Sequence, residues 1–134
     1  MEGAPEGSGK TFDIVFRAES DCLVTDVTGW LDGINALIAM FARIGAELRR
    51  THCTRLLVLD HTHGVVPPED EMKRLMTAVE GRGFDEVRIA YVDAWGTAVS
   101  RMEVGEILGR EHGYECRVFD NEQRARIWLN YGDD

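Results

Sequence analysis

At 134 residues the chain is of single-domain length and large enough to bury a substantial core. Its net charge of -9 argues against a nucleic-acid backbone or an anionic membrane as the main partner. No apolar run approaches the roughly 20 residues a spanning helix needs, and Met1–Lys10 has no leader-like stretch, so no membrane span and a cytoplasmic location are expected.

Residues 1–11 are rich in Gly, Pro, Glu and Ser and read as a flexible N-terminal tail ahead of one domain over 12–130. Ala4 to Thr11 spells a relaxed phosphate-loop pattern. That chemistry needs a buried strand before the loop and a helix after it, and this stretch has neither. Phe12–Arg17 reads as a strand, Ala18–Asp21 as a turn and Cys22–Thr28 as a second strand, an antiparallel hairpin. Asp32 is the expected N-cap of a helix whose apolar stripe runs through Ile34, Leu37, Ile38, Phe41, Ile44 and Leu48. Gly45 lies on that stripe. A helix-interior glycine costs about 1 kcal/mol relative to alanine, so close packing against the sheet is expected there.

Leu56–Leu59 is apolar throughout, which fits a central strand buried on both faces and ending at Asp60. A loop, His61–Asp70, follows, and its prolines suit the first turn of the next helix. Met72, Leu75, Met76 and Val79 form that helix's inward stripe. Val87–Asp93 reads as a strand, Thr97–Gly109 as a helix, Glu115–Asp120 as a strand and Asn121–Asn130 as a last helix with Ala125, Trp128 and Leu129 inward. The alternation predicts a single α/β domain: a mixed, mostly parallel sheet of about five strands with about four helices. The outer strands alternate in polarity while the central one does not. Helices should therefore gather on one face, leaving the other open near the first strand, where an apolar patch would be a homodimer contact.

Gly29-Trp-Leu-Asp32, the long helix behind it and Leu56-Leu-Val-Leu-Asp60 together resemble the anti-sigma-factor-antagonist fold, the STAS domain. The stretch from Cys116 to Leu129 is similar to the wider SpoIIAA-like group of small bacterial proteins. The resemblance spans Phe12 to Leu129. It implies strands in near-sequential order and a role in protein–protein regulation, and related groups bind lipids or other small molecules. STAS regulators carry a phosphorylatable Ser or Thr where the helix after the central strand begins. This chain has Pro67-Pro68-Glu69-Asp70 there, and Thr62 comes too early.

Asp60, Asp93 and Asp120 end strands, and such carboxylates can hold Mg²⁺ and phosphate. Capping or turn roles are the better account of Asp32, Asp93 and Asp120, whereas Asp60 stands away from any helix start. His61 and His63 alternate on an extended segment and point the same way, but two histidines make an incomplete metal site. The three cysteines include no C-x-x-C pair and read as reduced thiols. Trp95 is expected to cover the start of the next helix, or else to line a ligand or partner surface. No assembled catalytic motif is present, and no cofactor or metal is expected.

The reading is a non-catalytic STAS-like regulatory or protein-interaction module. Its partner or ligand surface comprises Asp60, His61, His63, Glu69, Asp93 and Trp95. The alternative is a binder of a small apolar or amphipathic ligand such as a lipid, with Met72 and Met76 in its wall. A third reading is a metal-dependent phosphate enzyme using Asp60 with Asp93 or Asp120. His61, His63 and Glu69 are expected to be at least partly exposed and to serve recognition rather than stability, with Val65 and Val66 packed inward.

Overall fold

The computed structural model describes residues 11–96 and 99–132, with the backbone alone for 99–101. Most of the expected tail, the phosphate-loop letters before Thr11 and the helix start at Thr97 lie outside those residues. The described strands are β1 (Phe12–Glu19), β2 (Cys22–Trp30), β3 (Arg55–His63), β4 (Arg88–Asp93) and β5 (Glu115–Phe119). The helices are α1 (Ile34–Thr51), α2 (Glu69–Val79), α3 (Val99–Glu111) and α4 (Glu122–Tyr131).

The sheet runs β1-β2-β3-β4-β5 in sequence order; β1 and β2 are antiparallel and every later pair is parallel. Glu19 pairs with Cys22, so the hairpin closes through Ser20 and Asp21 alone. Asp21 then accepts the backbone N–H of Thr54 at 2.9 Å, which ties that turn to the start of β3.

Side chains alternate across the sheet, so β2, β3 and β4 each feed two cores. Leu23 and Val27, Leu56 and Val58, and Ile89 face α1, α2 and α3. Val24, Leu57, Leu59, Ala90 and Val92 face α4 through Ala125, Trp128 and Leu129. Arg88 fastens α4. Its guanidinium lies 5.5 Å from the Trp128 ring and donates to the Trp128 and Leu129 carbonyls in the last turn of the helix, the first of which also accepts the Gly132 N–H.

Three helices on one face and one on the other agree with the expected asymmetry. The open face beside β1 is not an apolar patch, however. Val15 is exposed there, but Arg17 pairs with Asp26, and His61 Nε2 lies 3.7 Å from Asp26. Charge covers the surface where the pattern suggested a dimer contact.

Several local expectations are corrected. His61, Thr62 and His63 belong to β3, because β2 runs on to Trp30 and pairs with them residue for residue. Gly33, not Asp32, is the N-cap of α1, and no side chain caps that end. Gly45 does pack closely, but against Arg82 and Phe84 in the loop after α2 rather than against the sheet. Val65 is 72% exposed, whereas Val66 packs on the core. The cap of α4 is Asn121, accepting from the Arg124 N–H, while Asp120 forms an exposed ion pair with Arg124.

Candidate functional site

All four parallel strands of the sheet point their carboxyl ends at one edge, the usual place for ligands in open α/β sheets. At that edge a cavity of about 310 Å³ opens between the sheet and α1, α2 and α3. Its size falls at the lower end of small-molecule sites, about 300–1,000 Å³. Leu37 and Phe41 of α1, Met72 and Met76 of α2, and Ile89 of β4 form apolar wall. Gly105 of α3 lies on the opposite side, where the missing side chain leaves room.

Four polar residues of the cavity lining, Asp60, Thr62, Tyr91 and Asp93, come together at its mouth. Asp60 and Asp93 are register partners on neighbouring strands, only 8% and 5% exposed. Tyr91, two residues before Asp93, presents its side chain to the same face and donates to Asp60 Oδ2 at 2.5 Å. Burial first, and then the charge of Asp60, push the Tyr91 phenol well above its usual range, so it stays a donor. Asp60 Oδ1 accepts two further bonds, from the Thr62 N–H at 2.7 Å and the Thr62 hydroxyl at 2.5 Å. Asp93 Oδ1 accepts the Trp95 N–H at 3.2 Å, forming a local turn at the strand end.

The helix start that Trp95 is expected to cover lies outside the described residues; within them Trp95 reaches back to β3. Its indole donates to the Thr62 carbonyl at 3.1 Å, and its ring stacks on His63 with centroids 5.2 Å apart. His63 in turn lies 5.2 Å from Trp30, so three rings make an aromatic row along the rim. Trp95 remains 55% exposed despite these contacts.

Of the six residues expected at the site, Asp60, His63, Asp93 and Trp95 meet at the mouth. His61 points to Asp26 on the far face, and Glu69 forms an exposed pair with Lys73 at 3.7 Å. The two histidines do not converge: His61 turns to Asp26, whereas His63 is held between two tryptophans. Among the described residues, no three His, Cys, Asp or Glu side chains gather closely enough to hold a metal ion. Sequence reasoning missed Tyr91 and Thr62; the period-two spacing to Asp93 and Asp60 was the available signal. It also missed the wall from α3, which no local pattern announces.

No family model and no curated protein sequence matches the chain. Among solved structures, it is similar to an uncharacterized protein of the DUF3478 family with a SpoIIAA-like fold, from Shewanella loihica PV-4. The TM-score is 0.51 at 12% identity, covering 90% of this chain and 94% of that one. The fold is SpoIIAA-like. At that identity the likeness concerns the backbone arrangement alone. Within this SpoIIAA-like fold, the helix after the central strand starts behind Pro68, with no hydroxyl-bearing cap, and the Thr62 hydroxyl is turned into Asp60. Among the described residues no helix is long and apolar enough to cross a membrane.

Proposed function

We propose that the chain is a small-molecule-binding regulatory module of SpoIIAA-like fold whose ligand is amphipathic. The observation that carries this is the cavity: a largely apolar lining beneath three helices, with Asp60, Thr62, Tyr91 and Asp93 gathered at its mouth. A ligand with an apolar body and a polar end fits that division, because each part meets a matching surface. Met72 and Met76 suit the wall of a site that adapts to its occupant, since methionine is unbranched and polarizable. The three free thiols fit a reducing, cytoplasmic setting. Native mass spectrometry of the freshly purified chain, followed by thermal unfolding with added decanol, tests the reading. A co-purifying mass or a concentration-dependent rise in Tm supports it. A clean apo mass with no shift near the solubility limit of the alcohol would end it.

A second reading, protein–protein interaction at the same rim, draws on Val65 and Trp95. Both are large apolar side chains left exposed beside the mouth. Affinity capture from the native cell with the parent chain and with Val65→Glu separates the two. A partner retained by the parent and lost by the variant supports the interaction. Equal recovery by both would remove Val65 from any such surface.

A further inference from the structure

We infer that the chain forms a homodimer by pairing β1 with β1 of a second copy, antiparallel about a two-fold axis at Val15. The contact is the edge of the sheet, not its charged open face, and it does not depend on the cavity. The backbone register decides which groups of β1 are available. The Trp30 N–H donates to the Thr11 carbonyl at 2.9 Å, so Thr11 turns its backbone toward β2. Backbone direction alternates along a strand, and the β1–β2 register is unbroken, so Asp13, Val15 and Arg17 also turn toward β2. Phe12, Ile14, Phe16 and Ala18 therefore hold their N–H and carbonyl groups outward. Among the described residues, none of these outward groups has a hydrogen-bond partner. The opposite edge of the sheet is closed: at β5 the Glu106 carboxylate and the Arg110 guanidinium take up backbone groups of Val118 and Cys116. β1 lacks the features of shape that blunt an edge strand, since it is 8 residues long with no proline and no bulge.

Charged side chains are the other common protection of an edge, and β1 carries Asp13 and Arg17. Their spacing points to a second copy as the partner. Outward groups bond only to outward groups, so two copies of β1 can pair only in registers that differ by two residues. With Val15 opposite Val15, Asp13 stands opposite Arg17 on both sides of the axis, Ile14 opposite Phe16 and Phe12 opposite Ala18. The Val15 and Asp13–Arg17 pairs are then those without backbone bonds between them, where side chains approach most closely. Moving the register one way sets Asp13 against Glu19 and Val15 against Arg17. Moving it the other way sets Val15 against Asp13 and leaves Arg17 opposite Thr11. The Val15-centred register alone matches opposite charges and apolar side chains together. Val15 is 59% exposed and would be covered by its own copy. Ile14 and Phe16 are partly buried on the α1 side, and the pairing continues that core into the second copy. Arg17 already pairs with Asp26 and Glu19, but its guanidinium has five N–H donors and can hold a further carboxylate. Each contact occurs twice, as a two-fold interface requires.

Sedimentation velocity on the full chain tests the inference. An edge contact of this kind belongs to the weak class of interfaces, so the concentration range runs from about 1 µM to about 1 mM. The parent should pass from monomer to dimer within it. Asp13→Arg and Arg17→Glu should each weaken the dimer at least about tenfold, because each turns two attractive pairs into two repulsive ones. An equimolar mixture of the two variants should dimerise again: the introduced arginine meets the introduced glutamate, and Arg17 of one chain meets Asp13 of the other. Val15→Lys sets two ammonium groups against each other at the axis and should weaken the parent dimer likewise. Thermal unfolding confirms that each variant is folded. Should Arg17→Glu fail to fold on losing its pair with Asp26, Asp13→Arg and Val15→Lys carry the comparison. A parent that stays monomeric throughout overturns the inference and leaves the edge to a strand of another protein. A dimer indifferent to these variants, or a mixture that stays monomeric, overturns it as well.

Discussion

Two glycines in the helices facing the cavity illustrate how one missing methylene is used in opposite ways. A Cβ on Gly45 would lie 2.2 Å from the Arg82 carbonyl oxygen, a backbone atom that cannot move without moving the loop after α2. A Cβ on Gly105 would meet only the mobile end of Met72, at 3.4 Å. Both positions gain about 1 kcal/mol of helix propensity from alanine. At Gly45 the backbone clash outweighs the gain, since overpacking of this kind costs about 1–3 kcal/mol. Gly45→Ala should therefore lower the free energy of unfolding, and Gly105→Ala should raise it by up to about 1 kcal/mol, both read from urea titrations. A second residue-scale prediction concerns Cys116, whose thiol lines the cavity. Burial, then the nearby Glu106, push it up to about 11. The thiolate is the reactive form, so a value raised from 9 to about 11 leaves roughly a hundredfold less of it near pH 8. Iodoacetamide labelling followed by peptide mass analysis should find Cys116 about that much slower than a free thiol, recovering only as the pH approaches 11. The linkage sign agrees. With the folded value raised, the contribution is whole below the unfolded value near 9 and is lost as the pH rises through 11. Labelling at the free-thiol rate at pH 8 would mean that the thiol is not buried.

At the scale of elements, the two edges of the sheet are treated differently. The outer edge of β5 is blocked by α3: Glu106 Oε1 accepts the Val118 N–H at 2.7 Å, and the Arg110 guanidinium donates to the Cys116 carbonyl at 3.0 Å. Such edge groups otherwise invite pairing with another chain. The double variant Glu106→Ala with Arg110→Ala should keep its fold but aggregate faster on warming, as followed by light scattering. Unchanged scattering would show that the edge needs no cover. Glu106 and Arg110 also mark where sequence reading stops. The stripes Ile34 to Leu48 and Met72 to Val79 announced α1 and α2 because helix periodicity is local. The run Leu56–Leu59 announced β3 for the same reason. The last three residues of β3 looked like loop because they are polar, and only pairing with β2 through Trp30 makes them strand. Asp32 looked like a cap because its chemistry suits one, yet the chain enters α1 through Gly33. At the site, Asp60, His63, Asp93 and Trp95 were found from strand ends and aromatic content. The cavity was not, since a gap between three helices depends on side chains brought together by the crossovers. Its methionines and glycines carry the same pattern as filled core.

For the molecule as a whole, the unequal cover of the sheet determines where a ligand can enter. The α4 face is sealed by Trp128 and Leu129 over Leu57, Ala90 and Val92, with Arg88 fastening the helix end. The three-helix face encloses the cavity, so apolar walls that would otherwise pack on one another line a space open at one rim. An occupant that binds only the folded state stabilises it by mass action, about 2.7 kcal/mol at a hundred times its Kd. Ligand binding and stability are therefore linked through one volume, and filling that volume with protein should separate them. Gly105→Leu is the variant to make, because the position lines the cavity and its added Cβ has room. The new side chain adds helix propensity and buries apolar surface, so the free chain should unfold at a higher temperature than the parent. The same side chain occupies the ligand's place, so the rise in Tm given by decanol should vanish. Differential scanning calorimetry with and without decanol reads both effects in one experiment. A variant that is stabilised and still responds would place the ligand elsewhere on the molecule. A variant destabilised by more than about 1 kcal/mol would show that the space beside Gly105 is already filled, because overpacking a closed core costs that much or more.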